Sequence, residues 1–387
     1  MKRKPAWVRT VCIKATSYYP ACLCRYYQNT RNATEKNTKV ILLKRIFVIL
    51  IILVLCSTAL CLTTAPSEPV KTNPTTSPPG GTTPIPATTP CQSCTISPPD
   101  RPVKLIFLHH STGTNWLDDN NGGLGSALRD NNYFVSDTNY GWGPVPKAGS
   151  DPIGSSTDIG HWWLWFHGPK STEIMDQVFA ESGQHASYSR LGTDPGGKNR
   201  IIMFKSCYPN SNLRGNPGDP VPSIDANPLK GLDAGSGYHT VANAKGIYID
   251  LLPYFRQHQD TLFVVITAPP LSDAKNSANA RAFNQWLVYD WLKEYPYKNV
   301  AVFDFYNVLT TNGGSPKQND LGSESGNHHR WWQNRIQHVV DTSGGLRNIN
   351  AYPTAKGDDH PSKAGNQKAT AEFVPLLNSA YHQWQAG

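Results

Sequence analysis

Five short apolar runs punctuate the chain from residue 103 onward: Val103–Leu108 (VKLIFL), Tyr133–Asp137 (YFVSD), Arg200–Lys205 (RIIMFK), Thr261–Thr267 (TLFVVIT) and Asn299–Asp304 (NVAVFD). Several are apolar along most of their length, as strands covered on both faces should be. Between or after them lie stretches with helical spacing: Gly123–Asn131, Thr240–Gln259, Ala274–Tyr295 and Ser362–Trp384. Phe283, Trp286, Leu287, Trp291 and Leu292 form a stripe that reads as core packing. Strand–helix alternation predicts a parallel sheet with helices on both faces. Residues 144–199 and 306–356 break the pattern and are rich in Gly, Asn, Ser, Trp and His. Loops that long in a compact domain are often lids or binding walls, and these are expected to extend from one end of the sheet.

Ahead of residue 103 the pattern changes twice. Ile46–Leu62 (IFVILIILVLCSTALCL) holds 17 residues without a charge, directly after Lys44-Arg45. This suits a spanning helix at its shortest or a secretory signal core, and the positive flank belongs on the inner side. Residues 63–102 are dominated by Thr, Pro and Ser, a composition that cannot bury enough apolar surface to fold. The chain therefore divides into a basic segment 1–45, a signal-anchor or signal-peptide segment 46–62, a stalk-like linker 63–102 and one domain, 103–387. The domain is expected outside the cytoplasm, either membrane-anchored through residues 46–62 or secreted.

Charge sharpens this division. The formal net charge is +8, which at first suggests a nucleic-acid partner. Residues 1–45 hold 11 Lys/Arg and one acid, Glu35, whereas the chain from Thr63 carries 25 Lys/Arg against 27 Asp/Glu. The domain is nearly neutral and shows no basic stripe with interleaved aromatics, so nucleic-acid binding is not expected. Of eight cysteines only Cys207 lies in the domain. Cys91 and Cys94 form a lone CxxC in the linker, which reads as a small disulfide loop rather than a zinc site.

In an open parallel sheet, ligands bind beyond the carboxyl ends of the strands. The first strand is followed by His109-His110-Ser111-Thr112-Gly113, and the second by Thr138-Asn139-Tyr140-Gly141-Trp142-Gly143. The third is followed by Ser206-Cys207-Tyr208-Pro209-Asn210-Ser211, and the last helix is preceded by Gly357-Asp358-Asp359-His360-Pro361-Ser362. These pieces suit acyl transfer. A serine needs a base within reach, the base needs an acid to fix its tautomer, and the developing oxyanion needs pre-aimed donors.

The order and spacing of these blocks resemble the SGNH hydrolases, or GDSL-type esterases and lipases, over roughly residues 103–384. The resemblance implies a three-layer α/β/α, flavodoxin-like fold with a five-stranded parallel sheet and, here, long loop insertions. It implies Ser111 as nucleophile and His360 as base. It implies Gly141 and Asn210, with the serine's own N–H, as oxyanion donors. His109-His110 stands where the family has Gly-Asp, and the usual GxND is not present around Asn210. The family's acid sits three positions before the histidine, where this chain has Gly357. Asp358 is assigned that role, with Asp359 as the alternative. His110 and Trp142 are expected to shape the substrate pocket. No cofactor and no metal are implied, and the expected substrate is an ester of a polysaccharide or small molecule, with O-acylated carbohydrate ahead of a lipid. Trp116, Trp162, Trp163, Trp165, Trp331 and Trp332 fall in or near the proposed loops, and exposed rings there would stack on sugars.

Plainer readings stand beside these. Ser111 could cap the following helix, His360 could be a surface histidine, and Asn210 could only shape a turn. The GHWWLWFHGP run could be a packed loop core. Cys207 reads as a small buried residue rather than a nucleophile. Metal binding by His109-His110 with Asp358, Asp359 or His328-His329 lacks the usual HxH or HxxxH spacing. A non-catalytic glycan-binding domain on the same scaffold is the main functional alternative.

Overall fold

A computed structural model describes residues 95–387 except 316–317, 344–345 and 355–357. The expectations for residues 1–94, the apolar segment 46–62 and the Cys91–Cys94 pair included, lie outside the described residues. Among those described, no helix is long and apolar enough to cross a membrane.

The five apolar runs become strands β1 Val103–Leu108, β2 Tyr133–Thr138, β3 Ile201–Lys205, β4 Leu262–Ile266 and β5 Val300–Phe303. All pair in parallel, in the order β2-β1-β3-β4-β5. Alternation along each strand builds two cores. Ile106, Leu108, Ile202, Phe204, Phe263 and Val265 face one side. Leu105, Phe107, Ile201, Met203, Leu262, Val264 and Ile266 face the other. Both faces are covered, which is why these strands read as nearly continuous apolar runs.

The second core is closed by α1 Thr112–Leu117, α2 Leu124–Asp130 and, later in the chain, the C-terminal helix. The first is closed by α3 Trp162–Phe166, α4 Ser171–Ala180, α5 Val241–Gln257 and α6 Ser277–Tyr289. A short helix α7 Phe305–Val308 follows β5, and α8 Lys363–Gln385 ends the chain. The result is a three-layer α/β/α sandwich.

The two irregular regions are largely packing rather than lid. In the first, Trp162, Trp165 and Phe166 sit in the core, so GHWWLWFHGP is a packed loop core and not a sugar platform. In the second, strands β6 His328–Trp332 and β7 Arg335–Val339 form an antiparallel hairpin that the sequence reading did not anticipate.

The strand order β2-β1-β3-β4-β5 has one topological consequence. The order of strand connection reverses between β1 and β3, so the loops leaving these two parallel strands diverge and leave a crevice at their carboxyl ends. Leu108 pairs with Phe204 in the β1–β3 register. Residues 109–111 and 205–207 therefore emerge side by side at that crevice.

Candidate functional site

Ser111 is the residue immediately before α1 and directly follows the His109-His110 pair at the end of β1. Its side chain does not cap the helix. Instead its Oγ lies 3.2 Å from the Sγ of Cys207, and Thr112 Oγ1 lies 3.0 Å from the same sulfur. Cys207 leaves β3 and is nearly sealed from solvent. The crevice thus joins an alcohol and a thiol from adjacent strands.

His360 comes from the other side, on the segment just before α8. Its Nδ1 lies 2.6 Å from Asp358 Oδ1, and the same oxygen accepts the His360 backbone N–H at 3.1 Å. Asp359 points elsewhere, its Oδ1 accepting the Ser272 backbone N–H at 2.7 Å. The edge of Tyr208 packs on the imidazole at 4.9 Å between centroids. His360 Nε2 is buried without a well-formed hydrogen bond. Hydrogen bonding with Cys207 is the strongest influence on the ring; together with Asp358, and against burial, it raises the imidazole above its ordinary pKa.

Burial alone would push the Cys207 thiol up. The charge of Lys205 and hydrogen bonding with His110, His360 and Ser111 reverse this and hold it well below the ordinary thiol value. Lys205 is the last residue of β3 and is 1% exposed. Among the described residues its ammonium meets only the Ser206 carbonyl, at 3.3 Å. Burial lowers the Lys205 pKa, while Cys207 and Asp158 act in the opposite direction. The sequence reading missed this pair. A lysine closing an otherwise apolar strand two residues before a cysteine was the available signal.

The doubled histidine divides its labour. His109 is fully buried, with Nε2 3.2 Å from Asp137 Oδ2. Tyr188 Oη and the His185 backbone N–H donate to the other oxygen of Asp137, at 2.9 and 2.8 Å. Burial lowers the His109 pKa below its ordinary value despite Asp137. His109 is therefore a neutral structural residue. His110 faces the crevice, stacked on Tyr140 with centroids 4.6 Å apart and its Nδ1 3.1 Å from Tyr140 Oη.

Three expectations need correction. Asn210 is buried, and its Nδ2 donates to Asp158 Oδ1 at 2.6 Å and to the Cys207 carbonyl at 3.2 Å, while its Oδ1 accepts from the Ile159 N–H at 2.8 Å. The amide protons are spent on Asp158 and on the Cys207 carbonyl, so neither is aimed at an oxyanion. Gly141 has φ 77° and is exposed, but its N–H donates to Ser155 Oγ at 3.1 Å. Trp142 is a core residue, stacked on Trp165 at 5.8 Å with its Nε1 donating to Glu181 Oε2 at 2.5 Å. Packing, not substrate, accounts for it. Among the described residues no group of three or more His, Cys, Asp or Glu could hold a metal ion.

Ser111, Cys207, His110, His360 and Asp358 are thus gathered at one end of the sheet. Such a site can carry nucleophilic attack on an electrophilic carbon, with a base oriented by a carboxylate. No protein-family model matches the chain, and no curated protein matches its sequence at a significant level. Among solved structures it is distantly similar to a family two carbohydrate esterase from Clostridium thermocellum in complex with cellohexaose. That likeness has 12% identity and a TM-score of 0.31, covering 74% of this chain and 66% of that one. A second similar structure is a carbohydrate esterase whose active site displays divergent catalytic and non-catalytic binding functions. There the identity is 14% and the TM-score 0.25, over 54% of this chain and 58% of the other.

Proposed function

We propose that this chain is an SGNH-type ester hydrolase working through an acyl-enzyme. Ser111 attacks the acyl carbon, His360 takes its proton and later returns it to the leaving alcohol, and Asp358 fixes the His360 tautomer. Water then releases the acid. The observation that supports this most is the Asp358–His360 pair at 2.6 Å, whose ring also interacts with Cys207, the residue that lies 3.2 Å from Ser111 Oγ. With Asn210 and Gly141 engaged elsewhere, the backbone N–H of Ser111 is assigned as an oxyanion donor. For substrate we propose an O-acylated carbohydrate. Tyr140 is 60% exposed beside His110, and an open tyrosine ring at the mouth of a site suits a sugar face. Placement outside the cytoplasm rests on the apolar and Thr/Pro-rich segments ahead of the domain.

A second reading is favoured by one specific observation: the Cys207 sulfur is within hydrogen-bond reach of Ser111 and acts directly on His360. In this reading Cys207 is the nucleophile, as a thiolate paired with the His360 imidazolium, and Ser111 donates to it.

The test is release of acetate from an acetylated polysaccharide, and hydrolysis of a short-chain aryl ester, by the full chain and three variants. His360→Ala should abolish turnover in either reading. Loss in Ser111→Ala with retention in Cys207→Ala supports the serine. The opposite pattern transfers the role to Cys207. If the wild-type chain turns over neither substrate and no serine- or thiol-directed probe labels it, the domain is a glycan-binding module instead.

A further inference from the structure

Away from the crevice, Tyr289, His338 and Asp304 form a hydrogen-bonded relay. Tyr289 is the last residue of α6, His338 lies on β7, and Asp304 caps the N-terminus of α7. Tyr289 Oη lies 2.7 Å from His338 Nδ1, and His338 Nε2 lies 2.7 Å from Asp304 Oδ2. None of these residues belongs to the site around Ser111, so the relay stands apart from the function proposed above.

The order is carboxylate, imidazole, hydroxyl, and each member has the exposure such a relay needs. The Asp304 side chain is fully buried and that of His338 is 7% exposed, whereas Tyr289 is 48% exposed. Asp304 Oδ1 accepts Thr267 Oγ1 at 3.1 Å and the Asn307 N–H at 3.0 Å, which fixes the carboxylate in place. Burial opposes its charge, but His338, with Arg281 and His329 nearby, holds it below the ordinary carboxylate pKa. An ionised carboxylate only accepts, so His338 Nε2 carries a proton, and the neutral ring keeps its Nδ1 lone pair for the Tyr289 hydroxyl. His329 packs edge-on against His338 with centroids 5.0 Å apart, and its own Nδ1 lone pair accepts the Asp304 backbone N–H at 2.9 Å. The base is therefore oriented by a carboxylate and by packing together. Burial, then the charge of Asp304, raises the Tyr289 phenol above its ordinary pKa, so the hydroxyl is protonated at rest and needs a base to react.

We propose that Tyr289 is a nucleophile with His338 as its general base, and that it accepts an acyl group from an activated ester. The Tyr289 oxygen bonds to the acyl carbon as the bond from that carbon to the leaving oxygen breaks. The phenolic proton passes to His338 Nδ1 and then to the leaving oxygen, and Asp304 stabilises the imidazolium in between. The hydroxyl is open to solution, where little binding energy can be gathered. The donor is therefore an ester with a good leaving group, such as an aryl ester.

The experiment treats the full chain with excess para-nitrophenyl acetate and follows acetylation residue by residue by peptide mass spectrometry. Because each residue is read separately, the result does not depend on whether Ser111 turns the ester over. Tyr238 is the internal reference. It is more exposed, at 55%, and its hydroxyl meets no histidine among the described residues. General-base catalysis contributes about 10²–10⁴ in rate, so Tyr289 should be acetylated at least about 10²-fold faster than Tyr238. His338→Gln, checked for folding by circular dichroism, should bring the two rates together. The proposal is overturned if Tyr289 is no faster than Tyr238 in the wild-type chain, which would make the relay a clamp between α6 and the hairpin. That comparison decides the matter even where His338→Gln does not fold. A folded His338→Gln that keeps the fast rate at Tyr289 overturns it as well.

Discussion

Cys207 Sγ lies 3.2 Å from Ser111 Oγ, and the two side chains leave adjacent parallel strands at the point where the sheet changes winding direction. In the proposed mechanism, His360 would serve either of two candidate nucleophiles. The thiol is the one whose pKa the surroundings lower, because Lys205, His110, His360 and Ser111 together overcome its burial. The serine depends on His360 being neutral, whereas the thiolate depends on His360 being charged.

That opposition predicts distinct pH profiles. Hydrogen bonding with Cys207, then Asp358, raises the His360 pKa above 6.5 against the effect of burial. If Ser111 attacks, kcat/KM rises with pH through a limb above 6.5, because only neutral imidazole accepts the proton. Cys207→Ala removes the largest raising influence, so the limb moves to lower pH. If Cys207 attacks, activity is already present below pH 6.5 and is lost in Cys207→Ala. The profile should be recorded from about pH 5 to 9, since coupled groups report apparent values for the pair. A serine mechanism does not survive a limb that stays in place when Cys207 is removed.

The two aspartates before His360 should behave differently on substitution. Asp358 holds Nδ1 at 2.6 Å, whereas Asp359 is turned to Ser272. Replacing a triad carboxylate by its amide in a serine protease lowers kcat by about 10⁴. Asp358 is more exposed than such a residue, with a side-chain accessibility of 51%. A loss of about 10²–10⁴ is therefore expected for Asp358→Asn, and less than about tenfold for Asp359→Asn. Equal losses in both would remove Asp358 from the orienting role.

Asn210→Ala separates structure from catalysis. The amide bridges Asp158, Ile159 and Cys207, so truncation strands buried donors and acceptors. Urea unfolding should show a loss of about 1–3 kcal/mol. The folded variant should keep kcat within about tenfold. Loss of a true oxyanion donor costs about 10²–10³ instead, and a drop of that size at unchanged stability would return Asn210 to the oxyanion hole.

How much of this was readable from the chain follows from where each signal lives. The five strands were legible because both faces are buried and the sequence shows it directly. Their ends located Ser111, Cys207 and the Asp358–His360 segment in the correct order. The hairpin β6–β7 was not legible. Its turn is Gln333-Asn334 with φ 50° and 60°, a left-handed pair without the Asn-Gly signature that announces such turns. Its strands also carry His328, His329 and Arg330, whose burial depends on distant partners such as Glu372. Trp142 and Asn210 misled for the same reason. Residue type placed them at a site, but Glu181, Asp158 and Ile159 decide what their polar atoms do, and those partners lie 39–52 positions away.

Buried neutral histidines predict how the fold responds to acid. His109, His161 and His239 are lowered below 6.5 by burial, and His329 is pushed down to about 3. For each, the unfolded chain takes a proton below pH 6.5 that the folded chain refuses. Their effect on stability is therefore nil above 6.5 and unfavourable as pH falls below it. For His329 the penalty grows until about pH 3. Each such histidine steepens the loss by up to about 1.4 kcal/mol per pH unit. His360 works in the opposite sense, its raised pKa favouring the fold at low pH, but it is partly exposed and only one group. The net expectation is a urea midpoint that is flat above about pH 7 and falls steadily below pH 6.5. His329→Gln keeps an acceptor for the Asp304 N–H while removing the titration, so its curve should fall less steeply by about one proton. Identical slopes for wild type and His329→Gln would mean that His329 is protonated in the folded protein, and the lone pair assigned to its Nδ1 would be wrong.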